Sequence, residues 1–417
     1  MATGAGRSEA MATDLPQPSA SGGAGLVVAA TVGNMLSVTP SIISTFGLFL
    51  VPIATEFGWP RSVVSGALAI VLLGNALGSA PAGRLADRFG ARRIILAGNV
   101  LLAVAIGLLA FTGASHGLFY LQFLLVGVIG ALASNMVIAK LLADAFDKRR
   151  GLLIGIAGGI GNGVGSAVLP ALVAVMLITH SWREAYLGLG LVTFAVGFPI
   201  LYFLIRTPAV EKAEQQGIPA EGMTLGEAVR TPMFWLLVTS VPLGGGCLQA
   251  LFATIEPFLV DRGLSIGAGT TVLVLFALTC AIWEPTVGML LDRTRRPLIL
   301  APCYLTGAIG LLLLILGDQM ALLMLAGVLL GIALGAEFSA VTFLLSRYFG
   351  RHALGAISGT IFGIALLVSA AAAVLLNICY DLTGSYLAGL LAIVPLLAWN
   401  GIAILALPHY RFMGPVE

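Results

Sequence analysis

Long apolar segments recur along this 417-residue chain, separated by short polar stretches. A helix needs about 20 apolar residues to cross a bilayer core. That pattern predicts twelve spans, at 26–54, 63–82, 94–112, 118–146, 151–179, 184–205, 232–260, 270–290, 298–317, 320–345, 354–379 and 386–407. Lipid offers backbone groups no hydrogen-bond partner, so the spans are expected to be helices. Within them the polar residues step at helical intervals. Asn34, Ser37, Ser41, Ser44 and Thr45 fall on one face of the first span, and such a stripe has to meet protein or water. It is expected to line a cavity. Shorter polar sets occur at Asn75 and Ser79, at Ser134 and Asn135, at Gln249 and Glu256, and at Cys280 and Glu284 beside Trp283.

The second half of the pattern repeats the first. Pro52, Gly58, Gly83, Asp87 and Arg88 recur as Pro257, Gly263, Gly288, Asp292 and Arg293, all at an offset of 205 residues. Gly151, Gly155 and Gly159 recur as Gly355, Gly359 and Gly363, at 204. The expected fold is therefore an all-α membrane protein, with twelve transmembrane helices in two pseudo-symmetric six-helix bundles. The bundles are expected at 26–206 and 232–407, joined by a cytoplasmic linker at 207–231. Cytoplasmic tails are expected at 1–25 and 408–417. The first of these is rich in Gly, Ala, Ser and Pro, has no apolar run, and is expected to be disordered rather than a signal peptide. Met11-Ala-Thr repeats Met1-Ala-Thr, which makes Met11 an alternative start. The glycines, four apart along spans 5 and 11, keep one face of each helix bare, so that another backbone can approach.

Composition agrees with this reading. The chain is 59% hydrophobic and 10% charged, against about 25% charged for soluble domains. Of the 21 Lys and Arg residues, only Arg61, Arg183 and Arg262 fall in the loops on one side, and Lys140 lies inside a span. The remainder sit with the termini, which the positive-inside rule assigns to the cytoplasm. The expected location is the cell membrane, multi-pass, with both termini cytoplasmic. The net charge of +2 reflects this loop bias and gives no reason to expect nucleic-acid binding. Cys247, Cys280, Cys303 and Cys379 all fall within spans and are expected as free thiols.

The stretch from Gly83 through Asp87, Arg88 and Gly90 to Arg92 and Arg93 resembles the signature loop between helices 2 and 3 of the major facilitator superfamily. Gly288, Asp292 and Arg293 resemble its second copy. The resemblance implies alternating access, with two six-helix domains rocking about a central site. Gly83, Asp87, Arg88, Gly288, Asp292 and Arg293 are then gating residues, whose charges pair with helix ends in one conformation and separate in the other. Three further stretches resemble bacterial relatives of the monocarboxylate transporters: Glu56 to Arg61, Lys148 to Gly158, and Gly335-Ala-Glu337-Phe through Gly350, with Asp381 to Tyr386 beyond. Those transporters carry on helix 8 an Arg able to pair with a carboxylate, and an Asp one turn before it. The matching positions here are Glu284 and Cys280. A neutral, cationic or mixed-charge solute is expected over a plain monocarboxylate.

Charge inside the membrane marks the candidate chemistry. A charged side chain at the bilayer centre costs at least about 2.5–3.5 kcal/mol. Glu337 lies about 15 Å inside its span, counted back from Arg347, and Glu284 and Lys140 about 12 Å inside theirs. Glu256 falls near an end. Burial disfavours the ionised form of a carboxyl group, so a carboxyl that alternates between burial and water can carry a proton. Glu337 and Glu284 are the expected proton-coupling residues. Asn34, Ser37, Ser41, Asn135, Gln249, Trp283 and Glu284 are the expected substrate contacts. Lys140 has a competing structural partner in Asp144, one turn away.

No catalytic cluster, metal-ligand set or phosphate-binding glycine loop appears. His116, His180, His352 and His409 are scattered, and Gly263-Leu-Ser265-Ile-Gly267 follows a helix rather than a strand. No cofactor, no metal and no enzymatic activity are expected. The expected partners are a small organic solute, a proton and the lipid bilayer, with the chain a monomer. The expected function is secondary active transport of a small organic solute across a membrane by alternating access, coupled to protons since no nucleotide site is present. The alternatives are an exchanger or exporter of the same fold, or a transporter-like sensor or scaffold that binds solute without moving it.

Overall fold

The computed structural model describes residues 20–205 and 221–412. Residues 1–19 of the expected disordered tail (1–25), residues 206–220, which include most of the expected linker, and residues 413–417 lie outside the described residues. Residues 20–25, expected in the tail, are already helical, because the first helix, Ala20–Met35, begins ahead of the apolar run in a stretch of small residues. Among those described, twelve helices are long and apolar enough to cross a membrane. They are α1 (Gly23–Phe57), α2 (Val63–Phe89), α3 (Ala91–Phe111), α4 (His116–Ala145), α5 (Arg150–Thr179), α6 (Trp182–Leu204), α7 (Pro232–Phe252), α8 (Gly267–Asp292), α9 (Pro297–Leu316), α10 (Met320–Tyr348), α11 (Leu354–Thr383) and α12 (Leu387–Leu405). The helix of α7 runs on to Asp261. The four cysteines are free thiols.

Helix ends follow local chemistry. Gly58 and Gly384 close α1 and α11 in the left-handed conformation, which costs glycine nothing. Ser181 and Glu184 form a capping box at the start of α6. Thr224 and Glu227 do the same for a short helix, Leu225–Val229, that leads into α7. The hydrogen bonds from Thr224 hold the exposed Glu227 carboxyl below its ordinary range. The signature residues Asp87 and Arg88 lie on the last turn of α2, which continues to Phe89, rather than in a loop. The helix simply projects past the apolar stretch that predicted its end.

The two halves differ in regularity. In the N-terminal half α1 is interrupted at Ser37 and continues through a wide turn over Thr39–Ile43, where Pro40 offers no N–H. α4 breaks at Ser134, which is extended at φ −79°, ψ 160°. α5 and α6 each contain a π-turn, at Ile156–Ile160 and Thr193–Gly197. In the C-terminal half α7, α8, α10 and α11 are continuous.

The apolar core shows how the halves meet. One cluster draws from both, including Ala86, Met136 and Leu142 with Leu291, Phe343 and Ile357. It lies at the end that carries Asp87 and Asp292, here called the basic end. A second cluster, around Phe49, Phe123 and Tyr186, belongs to the N-terminal half alone. A third, around Leu251, Phe276 and Leu330, belongs to the C-terminal half alone. The halves are fused at the basic end and keep separate cores beyond it.

Candidate functional site

Two helix pairs carry the join. α2 meets α11, with Gly83 against Gly355, Ser79 against Gly359 and Ala76 against Gly363. α5 meets α8, with Gly151 against Gly288, Gly155 against Glu284 and Pro285, and Gly159 against Ala281. A side chain at Gly83, Gly151, Gly288 or Gly355 would collide with the facing backbone. The expected glycine rows therefore serve contact between the halves. Past Gly163, α5 and α8 hardly touch.

Each pair is locked by an aspartate on the N-terminus of a helix from the other half. Asp87 accepts hydrogen bonds from the N–H groups of Gly355 and Ala356, at 2.9 and 2.6 Å. Asp292 accepts from Gly151 and Leu152, at 2.9 and 3.0 Å. The first turn of a helix has unsatisfied N–H groups and the positive end of its dipole, so a carboxylate fits there. Lys140 joins the first lock. Its ammonium lies 2.6 Å from Asp144 and 3.4 Å from Asp87. Arg88 and Arg293, expected in these networks, are exposed, and Arg88 lies over the ring of its neighbour Phe89.

A third charge group was not singled out in the sequence. Asp147, between α4 and α5, sits 2.7 Å from Arg150, 2.9 Å from Arg351 and 3.8 Å from Arg347. Arg150, which is buried, also donates to Ser346 at 2.8 Å. A signal was present in the sequence: Asp147 and Arg351 are 204 residues apart, the offset of the glycine repeat, and carry opposite charges.

Deeper in the membrane, the polar stripe of α1 meets α5. Asn34 donates to the carbonyl of Ala157 at 2.9 Å, Ser37 to Asn162 at 3.4 Å, and Ser44 to Ser166 at 2.9 Å. Ser41 bonds back to the carbonyl of Leu36. Asn34, Ser37 and Ser41 are buried, so in this conformation the stripe joins two helices of one half.

Glu284 and Glu337 are each 4% exposed, but their settings differ. Glu284, on α8, is pressed against the bare face of α5. A Cβ on Gly158 would strike its carboxylate and come 3.2 Å from the Asn135 side-chain oxygen. Glu284 thus lies between the halves, beside the break in α4. Glu337 lies within the C-terminal half, where Asn400 of α12 donates to it at 3.4 Å and Gly245 of α7 packs on it. Trp283 and Gln249 are half-buried, and Trp283 packs on Gly335.

Among the described residues, twelve membrane-length helices lie in two halves that meet on paired glycine rows and reciprocal aspartate contacts, the architecture of a membrane carrier. The model of the Major Facilitator Superfamily matches residues 26–374 and 262–411. The chain belongs to that superfamily and is a multi-pass membrane protein, a secondary transporter rather than an enzyme. It is 24% identical over 328 residues to the MFS-type transporter YhjX of Escherichia coli, covering 77% of this chain and 80% of that one. It is 26% identical over 290 residues to human monocarboxylate transporter 11, covering 68% of this chain and 60% of that one. Among solved structures, the human organic anion transporter MFSD10 superposes with a TM-score of 0.64 at 18% identity, covering 93% of this chain and all of that one. That last likeness concerns the fold.

Proposed function

We propose that this chain carries a small organic solute across the cell membrane by alternating access, coupled to protons, with its basic end and both termini in the cytoplasm. The observation that carries the reading is the pair of reciprocal locks, Asp87 on α11 and Asp292 on α5. They hold the basic end shut while the opposite ends of the halves keep separate cores. On this reading the conformation faces outward, and the cycle must break both locks to release solute inward.

The solute site lies between the halves, where Asn135, Gln249, Trp283 and Glu284 are its nearest candidates. Asn34, Ser37 and Ser41 set the pose of α1 on α5. Lys140 is engaged with Asp144 and Asp87 at the gate, which favours a neutral, cationic or mixed-charge solute. A second reading, an anionic solute, is favoured by the relative named as a monocarboxylate transporter. Glu284 and Glu337 are the proposed proton carriers. Glu284 lies on the surface that separates when the basic end opens, so its access to water changes through the cycle. For Glu337 the contact with Asn400 would have to loosen.

The test is uptake of labelled organic acids, amines and sugars into proteoliposomes under an imposed pH gradient. Accumulation that collapses with a protonophore supports the proposal. Solute binding without any transport supports a sensor or scaffold instead. Lactate or pyruvate transport that survives Lys140→Ala sinks the preference for a non-anionic solute.

A further inference from the structure

The chain after α12 turns back onto Arg347, one of the arginines that hold Asp147. The N–H groups of Arg411 and Phe412 both donate to the carbonyl of Arg347, at 3.1 and 2.9 Å, and Tyr410 donates to the carbonyl of Arg295 at 3.3 Å. The Tyr348 hydroxyl donates to the carbonyl of Pro408 at 2.7 Å. The Tyr410 ring is buried, edge-on to Phe343 and Tyr348, with centroids 5.9 and 5.4 Å apart. Phe343 in turn carries the Arg347 guanidinium over its ring, 5.3 Å from the centroid. From the other side, the end of the linker pairs with the turn between α10 and α11. Met223 donates to Phe349 at 2.8 Å and Arg351 donates to Glu221 at 2.9 Å.

We infer that Tyr410 and the strap it anchors, residues 408–412, position Arg347 for Asp147 and so set how firmly the basic end stays shut. An arginine on a free loop loses much of its ion-pair energy to the ordering of its long stem. Here the backbone of Arg347 is held at its carbonyl, its guanidinium rests on a ring, and that ring is backed by Tyr410. The contacts of the strap are with the C-terminal half and the end of the linker, whereas Asp147 belongs to the N-terminal half. The strap therefore travels with one half and acts on the grip between the two.

The inference is tested by the separation of the halves at the basic end. Spin labels are placed at Arg84 and Gly226 in a cysteine-free background, with the purification tag at the N-terminus. Arg84 is exposed, and a side chain at Gly226 meets nothing within 4 Å. The wild-type chain is expected to give a dominant short distance. Tyr410→Ala, and a chain ending at Leu407, are expected to raise the longer-distance population several-fold in protein that is still folded at the temperature of measurement, the thermal midpoint falling because a buried ring is lost. Tyr410→Phe, which keeps the ring, is expected to restore the wild-type distribution. If Asp147→Asn lengthens the distance while Tyr410→Ala and the truncation do not, the gate stands and the strap has no part in it. A shift in Tyr410→Phe as large as in Tyr410→Ala also overturns the inference. Should the truncated chain fail to fold, Tyr410→Ala decides alone. Because this readout needs no solute, it is independent of whether the transport reading holds.

Discussion

Asp147 and Arg351 join the two halves across 2.9 Å at equivalent positions of the repeat. A duplicated contact between like copies would set identical side chains face to face. Here one copy carries the carboxylate and the other the guanidinium, so duplication has become complementarity. Arg150 and Arg347 crowd the same carboxylate, which makes Asp147 the hub of the group.

Asp147→Asn should weaken the shut basic end. Hydrogen bonds to a charged group contribute about 1.5–3 kcal/mol each, and about 1.4 kcal/mol is a tenfold shift in population. The variant should expose Ser79, now buried against α11, to a thiol reagent when that residue is replaced by cysteine. Unchanged labelling at equal protein level would remove Asp147 from the gate.

Asp87→Asn keeps the shape of the side chain but loses the charge that meets two helix N–H groups and Lys140. Turnover should fall about tenfold or more on the same arithmetic, while membrane insertion and the thermal midpoint stay near wild type. Normal turnover at matched protein level would count against the lock.

Gly158→Ala places a methyl group against the Glu284 carboxylate. The state shut at the basic end should lose population and transport should fall severely, since α5 and α8 can no longer close. Gly226→Ala, in open space, serves as the harmless control. Full transport by Gly158→Ala would mean that Glu284 does not sit between the halves.

Glu284→Gln and Glu337→Gln separate the two carboxylates. The one that carries the proton should, when neutralised, abolish pH-driven accumulation yet retain exchange of solute for solute. The other should lose both or neither. If both variants accumulate solute normally, neither residue couples the proton.

Much of the fold was legible in the sequence, because apolar length and the glycine repeat are one-dimensional signals. Gly83, Asp87, Gly288 and Asp292, which the structure places in contact between the halves, were singled out in the sequence by their shared offset. The interruptions of α1, α4 and α5 were not legible, since only packing between helices decides whether Pro40 or Ser134 disturbs the backbone. The α1 stripe illustrates the limit. Helical spacing shows that Asn34, Ser37 and Ser41 share a face, but cannot say whether that face meets water or another helix. Asp147 was passed over because it stands in a run of basic residues that read as topology markers, and its partners in the other half, Arg347 and Arg351, lie 200 and 204 residues away in the sequence.

The breaks in the N-terminal helices bear on where deformation can occur. A helix with an unbroken hydrogen-bond ladder moves as a rod, whereas one with a wide turn or an extended residue can flex at that point. The four interruptions described here fall on one copy of an ancestral repeat. The two halves would then be unequal partners in the proposed rocking motion, one a stiff lever and the other a jointed one. Amide exchange in mid-membrane should accordingly run faster at Ser134 and Ile156–Ile160 than at the corresponding turns of α10 and α11.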